Sequence, residues 1–239
     1  MLPYPPPDVV NVAQLREFDE LIDARSPSEF NLDHIPGAIN CPVLDDAERA
    51  RVGTIYKQVS SFEAKKTGAA LIARNIARHI ETCFIKKEKN WRPLIYCWRG
   101  GKRSAALAHT LKQIGWNAAR LEGGYKSYRA RVMVDLQELP RRFDFRVICG
   151  PTGSGKSRLL QALARTGAQV LDLEQLAAHR GSVLGALPDE PQPAQKMFES
   201  LVWQQLQGFQ TGQPVYVEAE SKKIGNARIP DVLLQVMWT

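Results

Sequence analysis

Pro93-Leu94-Ile95-Tyr96-Cys97-Trp98-Arg99-Gly100-Gly101-Lys102-Arg103-Ser104 is an apolar run that stops at a cysteine and gives way to two glycines and three cations. Four apolar residues ahead of a charged turn read as a short buried strand. From Ser104 onward Ala105, Leu107, Ala108, Leu111 and Ile114 recur at helical spacing, and Gly115 closes that helix. The passage is strand, loop and helix in succession, and the same alternation continues on both sides. Upstream, residues 21–25 read as a strand ending at the turn Ser26-Pro27-Ser28, and residues 35–40 as a turn feeding a second strand. Residues 67–84 read as a helix with the apolar stripe Ala69, Ile72, Ala73, Ile76, Ile80 and Phe84, and Cys83 is expected in or near the core. Downstream, residues 118–121 add a strand and Glu122-Gly123-Gly124-Tyr125 turns the chain. Strands alternating with helices imply a parallel α/β sheet.

A cysteine at the C-terminal end of a parallel strand lies at the edge where α/β sheets place their ligand crevice. Backbone N–H groups after it and the N-terminus of the next helix make an anion site, to which Arg99, Lys102 and Arg103 add side-chain cations. These effects favour the thiolate, which is the nucleophilic form. Cys97 is therefore the candidate catalytic residue, and Arg99, Gly100, Gly101, Lys102, Arg103 and Ser104 are the candidate donor- and anion-binding residues. His34, beside Pro36-Gly37, reads as the brace of a turn. Cys41 reads as a structural thiol, since nothing local activates it.

A second unit begins at Phe143. Residues 145–149 form a strand that runs into Gly150-Pro151-Thr152-Gly153-Ser154-Gly155-Lys156-Ser157, a complete G-x-x-x-x-G-K-[ST] phosphate loop, and a helix follows to Arg165. Main-chain N–H groups of such a loop close around phosphate oxygens, the lysine supplies a point charge, and the serine hydroxyl reaches a metal. Gly150, Thr152, Gly153, Ser154, Gly155, Lys156 and Ser157 are the candidate phosphate-binding residues. Further strands are read at residues 169–173 and 214–218, with a helix around residues 194–207 between them. Glu218 and Glu220 are the candidate acidic partners for a magnesium ion, with Asp172 and Glu174 a weaker pair. Three strands are fewer than a P-loop sheet generally uses, so this unit is expected to be incomplete. The expected organisation is a domain over residues 1–130, a basic connector over 131–142 and a phosphate-loop domain over 143–239.

Composition bounds the function classes. The chain has 239 residues, 44% of them hydrophobic and 24% charged, enough to bury a core. No run approaches the ~18 apolar residues that span a membrane. The opening Pro-rich stretch has neither the basic nor the apolar region of a signal peptide and reads as an extended arm. Four cysteines at unrelated spacings suit reduced thiols and a cytoplasmic location. Residues 86–142 hold 14 Lys/Arg against 4 Asp/Glu, whereas the rest of the chain is balanced or slightly acidic. Such a segment favours a polyanionic partner through counterion release, or else is simply a solvated face.

Spacing around Cys97 leaves two chemistries open. Cys97-x5-Arg103 has the arrangement of a cysteine phosphatase, and it equally resembles an enlarged rhodanese loop that carries a persulfide or perselenide. The surroundings favour the second. Asp23-Ala24-Arg25-Ser26-Pro27-Ser28-Glu29-Phe30 with His34-Ile35-Pro36-Gly37-Ala38-Ile39-Asn40 resembles the paired signatures of the rhodanese fold, and residues 121–125 resemble its closing motif. Tyr96 stands where many cysteine phosphatases carry His.

The combination of Cys97-Trp98-Arg99-Gly100-Gly101-Lys102-Arg103-Ser104 with a phosphate loop is similar to the tRNA 2-selenouridine synthase family. Asp172-Leu173-Glu174, His179-Arg180-Gly181-Ser182 and Val217-Glu218-Ala219-Glu220-Ser221 add to the resemblance. It implies conversion of wobble 2-thiouridine in tRNA to 2-selenouridine with selenophosphate, by way of an S-geranylated intermediate made from geranyl diphosphate. It further implies selenium carried on Cys97, selenophosphate held by Arg99, Lys102 and Arg103, and the prenyl diphosphate held by residues 153–157. The basic segment would meet the tRNA. No tightly bound cofactor is expected; selenophosphate and geranyl diphosphate are co-substrates, and the acidic residues leave room for a magnesium ion. An inactive RNA- or phosphate-binding fragment is the remaining alternative.

Overall fold

The computed structural model describes residues 8–151, 153–180, 185 and 191–238. The Pro-rich arm, Thr152 of the phosphate loop and the Gly181-Ser182 pair lie outside the described residues. The chain divides into two compact units, residues 1–129 and 130–239.

The first unit contains β1 (Val9–Val10), β2 (Glu20–Asp23), α1 (Pro27–Leu32), β3 (Ile39–Asn40), α2 (Asp46–Gln58), α3 (Ser61–His79), β4 (Pro93–Tyr96), α4 (Lys102–Ile114), β5 (Ala119–Leu121) and the start of α5 (Gly124–Glu138). Its five strands are all parallel, in the order β1-β5-β4-β2-β3. The central strand β4 is apolar and buried throughout because both faces of the sheet are covered. Ile22, Leu94, Ile95 and Tyr96 are all fully buried. Around them pack Phe84, Leu107, Leu111, Trp91 and Trp116, the two indoles meeting edge to face at 5.3 Å.

Helix starts follow the capping chemistry of the sequence. Ser26-Pro27-Ser28, read as a turn, is the N-terminus of α1, with Pro27 in its first turn and Glu29 returning to the Ser26 N–H. Asp45 and Glu48 form a capping box at α2, and Ser60 caps α3. The third helix therefore begins earlier than its apolar stripe, and it ends in a π-helical turn, Ile80–Phe84. That turn is why Cys83, expected in or near the core, is exposed: the wider turn sends Phe84 inward and leaves Cys83 outside. At α4 the left-handed Gly115 closes the helix, as its position after the stripe requires.

The second unit holds β6 (Asp144–Ile148), α6 (Lys156–Arg165), β7 (Gln169–Leu171), α7 (Leu173–Leu176), α8 (Gln195–Gly208), β8 (Pro214–Glu218), the ribbon β9 (Lys223–Ile224) and β10 (Ala227–Arg228), and α9 (Asp231–Met237). Three parallel strands pair in the order β6-β8-β7, and β9–β10 is a separate antiparallel ribbon absent from the sequence reading. Residues 131–142, the basic connector, are helical: most lie in α5, and a 3-10 turn covers Leu139–Arg142. Among the described residues no helix is long and apolar enough to cross a membrane.

Candidate active site

In the first unit Asp23 and Cys97 stand at the C-terminal ends of the neighbouring strands β2 and β4, the edge where parallel sheets put their ligands. Cys97 is buried, its Sγ 3.2 Å from the Ser104 Oγ and 3.9 Å from the Gly101 carbonyl oxygen. Gly101 is the N-cap of α4, so Lys102, Arg103 and Ser104 form the first turn of a helix whose positive end faces the thiol region. Arg99 and Lys102 are exposed, as is Gly101, and Gly100 is half-buried. Arg103 is turned aside: its Nη1 donates to Glu29 Oε2 at 2.8 Å, and Arg49 reaches the same oxygen at 3.2 Å. Burial would raise the Glu29 carboxyl, but the two guanidiniums hold it below the usual carboxylate range.

The loop is held from behind, backbone to backbone. Tyr125 N–H donates to the Cys97 carbonyl at 2.8 Å and Lys126 N–H to that of Trp98 at 3.0 Å. Gly100 and Gly124 both have φ near +60°, and a methyl on Gly124 would overlap the Cys97 carbonyl oxygen. The residues resembling a closing motif are thus the clasp of the cysteine loop.

A buried ion pair sits beneath this clasp. Arg25 Nη2 meets Asp23 Oδ2 at 2.6 Å with both side chains inaccessible, and the same Nη2 donates to the Asp33 carbonyl at 2.6 Å. The guanidinium lies 3.9 Å from the centre of the Tyr125 ring, and the Tyr125 hydroxyl donates to Asp33 Oδ2 at 2.6 Å. Burial and that carboxylate hold the Tyr125 phenol well above its ordinary value. Tyr96 accepts the Ile35 N–H through its hydroxyl, and His34 stacks on Phe30 and pairs with the Phe30 carbonyl, so His34 braces the chain as expected. Arg25, Asp33 and Tyr125 are not among the candidate site residues read from the sequence; Arg25 and Tyr125 belong to the quoted signatures, and Asp33 lies between two of them. The other unanticipated residue is Trp98. It stays 39% exposed beside Cys97 while stacking on Tyr125 at 5.3 Å.

In the second unit the phosphate loop joins β6 to α6, with Gly153 and Gly155 both left-handed. A cavity of about 840 Å³ opens beside it, lined by Lys156, Ser157, Glu174, Arg180, Glu218 and Glu220 among others. Lys156 Nζ donates to the Gly150 and Pro151 carbonyls at 3.0 and 3.3 Å and lies 3.5 Å from Glu218, while Ser157 Oγ donates to Glu218 at 3.2 Å. Glu218 ends β8, and carboxylate oxygens of Glu174, Glu218 and Glu220 lie within 4.8 Å of one another. Burial, then the charges of Glu218 and Glu220, push Glu174 up to about 7; burial and Glu218 raise Glu220 as well. Asp172 is spent on capping α7 through the Gln175 N–H. The structure therefore joins Glu174 to Glu218 and Glu220, and Asp172 lines the same cavity.

Residues 9–131 match the rhodanese-like domain and residues 143–239 the tRNA 2-selenouridine synthase AAA domain. A tRNA 2-selenouridine synthase of Nitrosomonas europaea is 38% identical over 215 residues, covering 88% of this chain and 55% of that one. One from Bdellovibrio bacteriovorus is 39% identical over 182 residues, or 75% of this chain and 47% of that one. One from Shewanella denitrificans is 36% identical over 220 residues, or 91% of this chain and 59% of that one. The chain thus spans roughly half the length of these curated relatives.

Proposed function

Because the chain belongs to the rhodanese-like family and carries behind that domain the AAA domain of the tRNA 2-selenouridine synthases, we propose that it acts in converting 2-thiouridine of tRNA to 2-selenouridine. The observation that carries this reading is the pairing, in one chain, of a cysteine at an anion-accepting helix N-terminus with a phosphate loop facing a cavity of about 840 Å³ that has charged side chains in its lining. In this reading Cys97 carries selenium delivered as selenophosphate. Arg99 and Lys102 meet the incoming anion; Arg103 joins them only by leaving Glu29. Residues 153–157 hold geranyl diphosphate, whose prenyl group passes to the thiocarbonyl sulfur with release of diphosphate; the Cys97-bound selenium then attacks C2 as geranylthiol leaves, and a thiol cleaves the S–Se bond to free 2-selenouridine. Ser157, Glu174, Glu218 and Glu220 are hard oxygen donors that fit a magnesium ion, which would neutralise the diphosphate. The phosphatase alternative needs Arg103 in the anion cradle, and its engagement by Glu29 tells against that reading.

The test is mass spectrometry of Cys97 after incubation with selenophosphate and thiolated tRNA. Thiolate and selenide are both reduced, so an S–Se bond forms only with loss of two electrons. The mixture therefore includes a disulfide acceptor: thiol, selenophosphate, disulfide and water give the selanylated cysteine, phosphate and two thiols. Selenium on Cys97 is the expected result, and selenation of the tRNA with Cys97 never modified would overturn the assignment.

Trp98 presents aromatic surface next to the reacting sulfur, with Tyr125 supporting its ring, and a target base can stack there. Stacking on one aromatic side chain contributes about 1–3 kcal/mol, so Trp98→Ala is expected to raise KM for tRNA roughly 5- to 150-fold. Trp98→Phe should recover most of this. The rate of Cys97 alkylation by a small reagent should be unchanged in both variants; a matched fall in alkylation would mean that Trp98 only shapes the loop.

A further inference from the structure

Cys41, His79 and Cys83 each bring a ligand atom to within 4.8 Å of the other two, in the first unit and outside the residues used above. Cys41 follows β3 at the edge of the sheet, and its N–H donates to the Asp23 carbonyl at 2.9 Å. His79 is the last residue of α3, and Cys83 lies four positions on, within the π-helical turn Ile80–Phe84. Single π turns of this kind recur at functional sites because the inserted residue re-aims side chains. Here the turn puts Cys83 at the surface, with Cys41 and His79 buried beneath it.

We propose that Cys41, His79 and Cys83 hold a zinc(II) ion, with a water or small ligand in the fourth position. Two thiolates and one imidazole are the donor set this ion prefers, and three protein ligands with one open position is a recurrent zinc arrangement. The second shell agrees. His79 Nε2 lies 2.9 Å from the Pro42 carbonyl; an N–H donated there fixes the tautomer and frees Nδ1 as a ligand, as metal-bound histidines usually do. Cys83 at the surface is the route by which the ion arrives. The bound ion would tie the exit of β3 to the end of α3.

The experiment uses the untagged full chain, reduced and metal-stripped, titrated with cobalt(II) and separately with zinc(II). The expected result is one metal per chain, thiolate-to-cobalt charge-transfer bands, tetrahedral visible bands that zinc abolishes, and a higher Tm with zinc. Cys83→Ser, an exposed change that leaves the core alone, should remove the thiolate bands and the zinc-dependent Tm shift, and His79→Ala should weaken both. A Cys97→Ser, Cys149→Ser double variant should bind as the parent does. Absence of cobalt bands in the parent, bands unaltered by Cys83→Ser, or a Cys41–Cys83 disulfide in place of two free thiols in the reduced protein would overturn the proposal.

Discussion

Cys97→Ser is expected to abolish selenium transfer while leaving the chain folded and the chemistry of the phosphate loop intact. The side chain is buried next to the Ser104 hydroxyl at 3.2 Å and the Gly101 carbonyl, so a smaller hydroxyl finds hydrogen-bond partners where the thiol was. What disappears is the nucleophile. A serine hydroxyl is a far weaker nucleophile than a cysteine sulfur, and no base among the described residues of this loop takes its proton. The phosphate loop belongs to the other compact unit. With geranyl diphosphate supplied, the variant should therefore accumulate S-geranylated tRNA and no selenouridine. Lys156→Ala should do the converse and stall before alkylation. Nucleoside analysis by liquid chromatography and mass spectrometry reads both outcomes at once. Selenouridine formed by Cys97→Ser at the parental rate would remove Cys97 from the mechanism.

How much of this was legible beforehand follows from what each residue does. The β4–loop–α4 passage could be read because a continuous apolar strand, a glycine turn and a 3.6-residue stripe are all local patterns. The phosphate loop was legible for the same reason. Helix α2 was not, because none of its described residues is buried and it carries no apolar stripe; its only local signal is the Asp45–Glu48 capping box. The ribbon β9–β10 has two residues per strand, too few for an alternation to register. Arg103 was placed in the anion cradle because it is near Cys97 in sequence, yet its partner Glu29 is 74 positions away. The same holds for the clasp. Gly124 matters through a carbonyl 27 positions upstream, and no local pattern records such a meeting.

Arg25→Met should have the largest effect on stability, and its reasoning rests on that non-local packing. The guanidinium neutralises Asp23, which is fully buried, and satisfies the Asp33 carbonyl. Removing one partner of a buried ion pair leaves an uncompensated charge and costs about 3–5 kcal/mol. For a unit of this size that is a fall in Tm of roughly 10–20 °C, read by calorimetry or circular dichroism. Adding Asp23→Leu to Arg25→Met removes the stranded carboxylate, and it should recover much of the stability because a packed apolar pair replaces a buried ionic one. Selenium transfer should not recover with it. Arg25 lies 3.9 Å from the Tyr125 ring, and the Tyr125 N–H holds the Cys97 carbonyl. A desolvated cation–π contact contributes about 2 kcal/mol to keeping that ring in place, and the double variant lacks it. Stability restored without activity would show that the pair positions the cysteine loop; both restored together would show that Arg25 serves the fold alone.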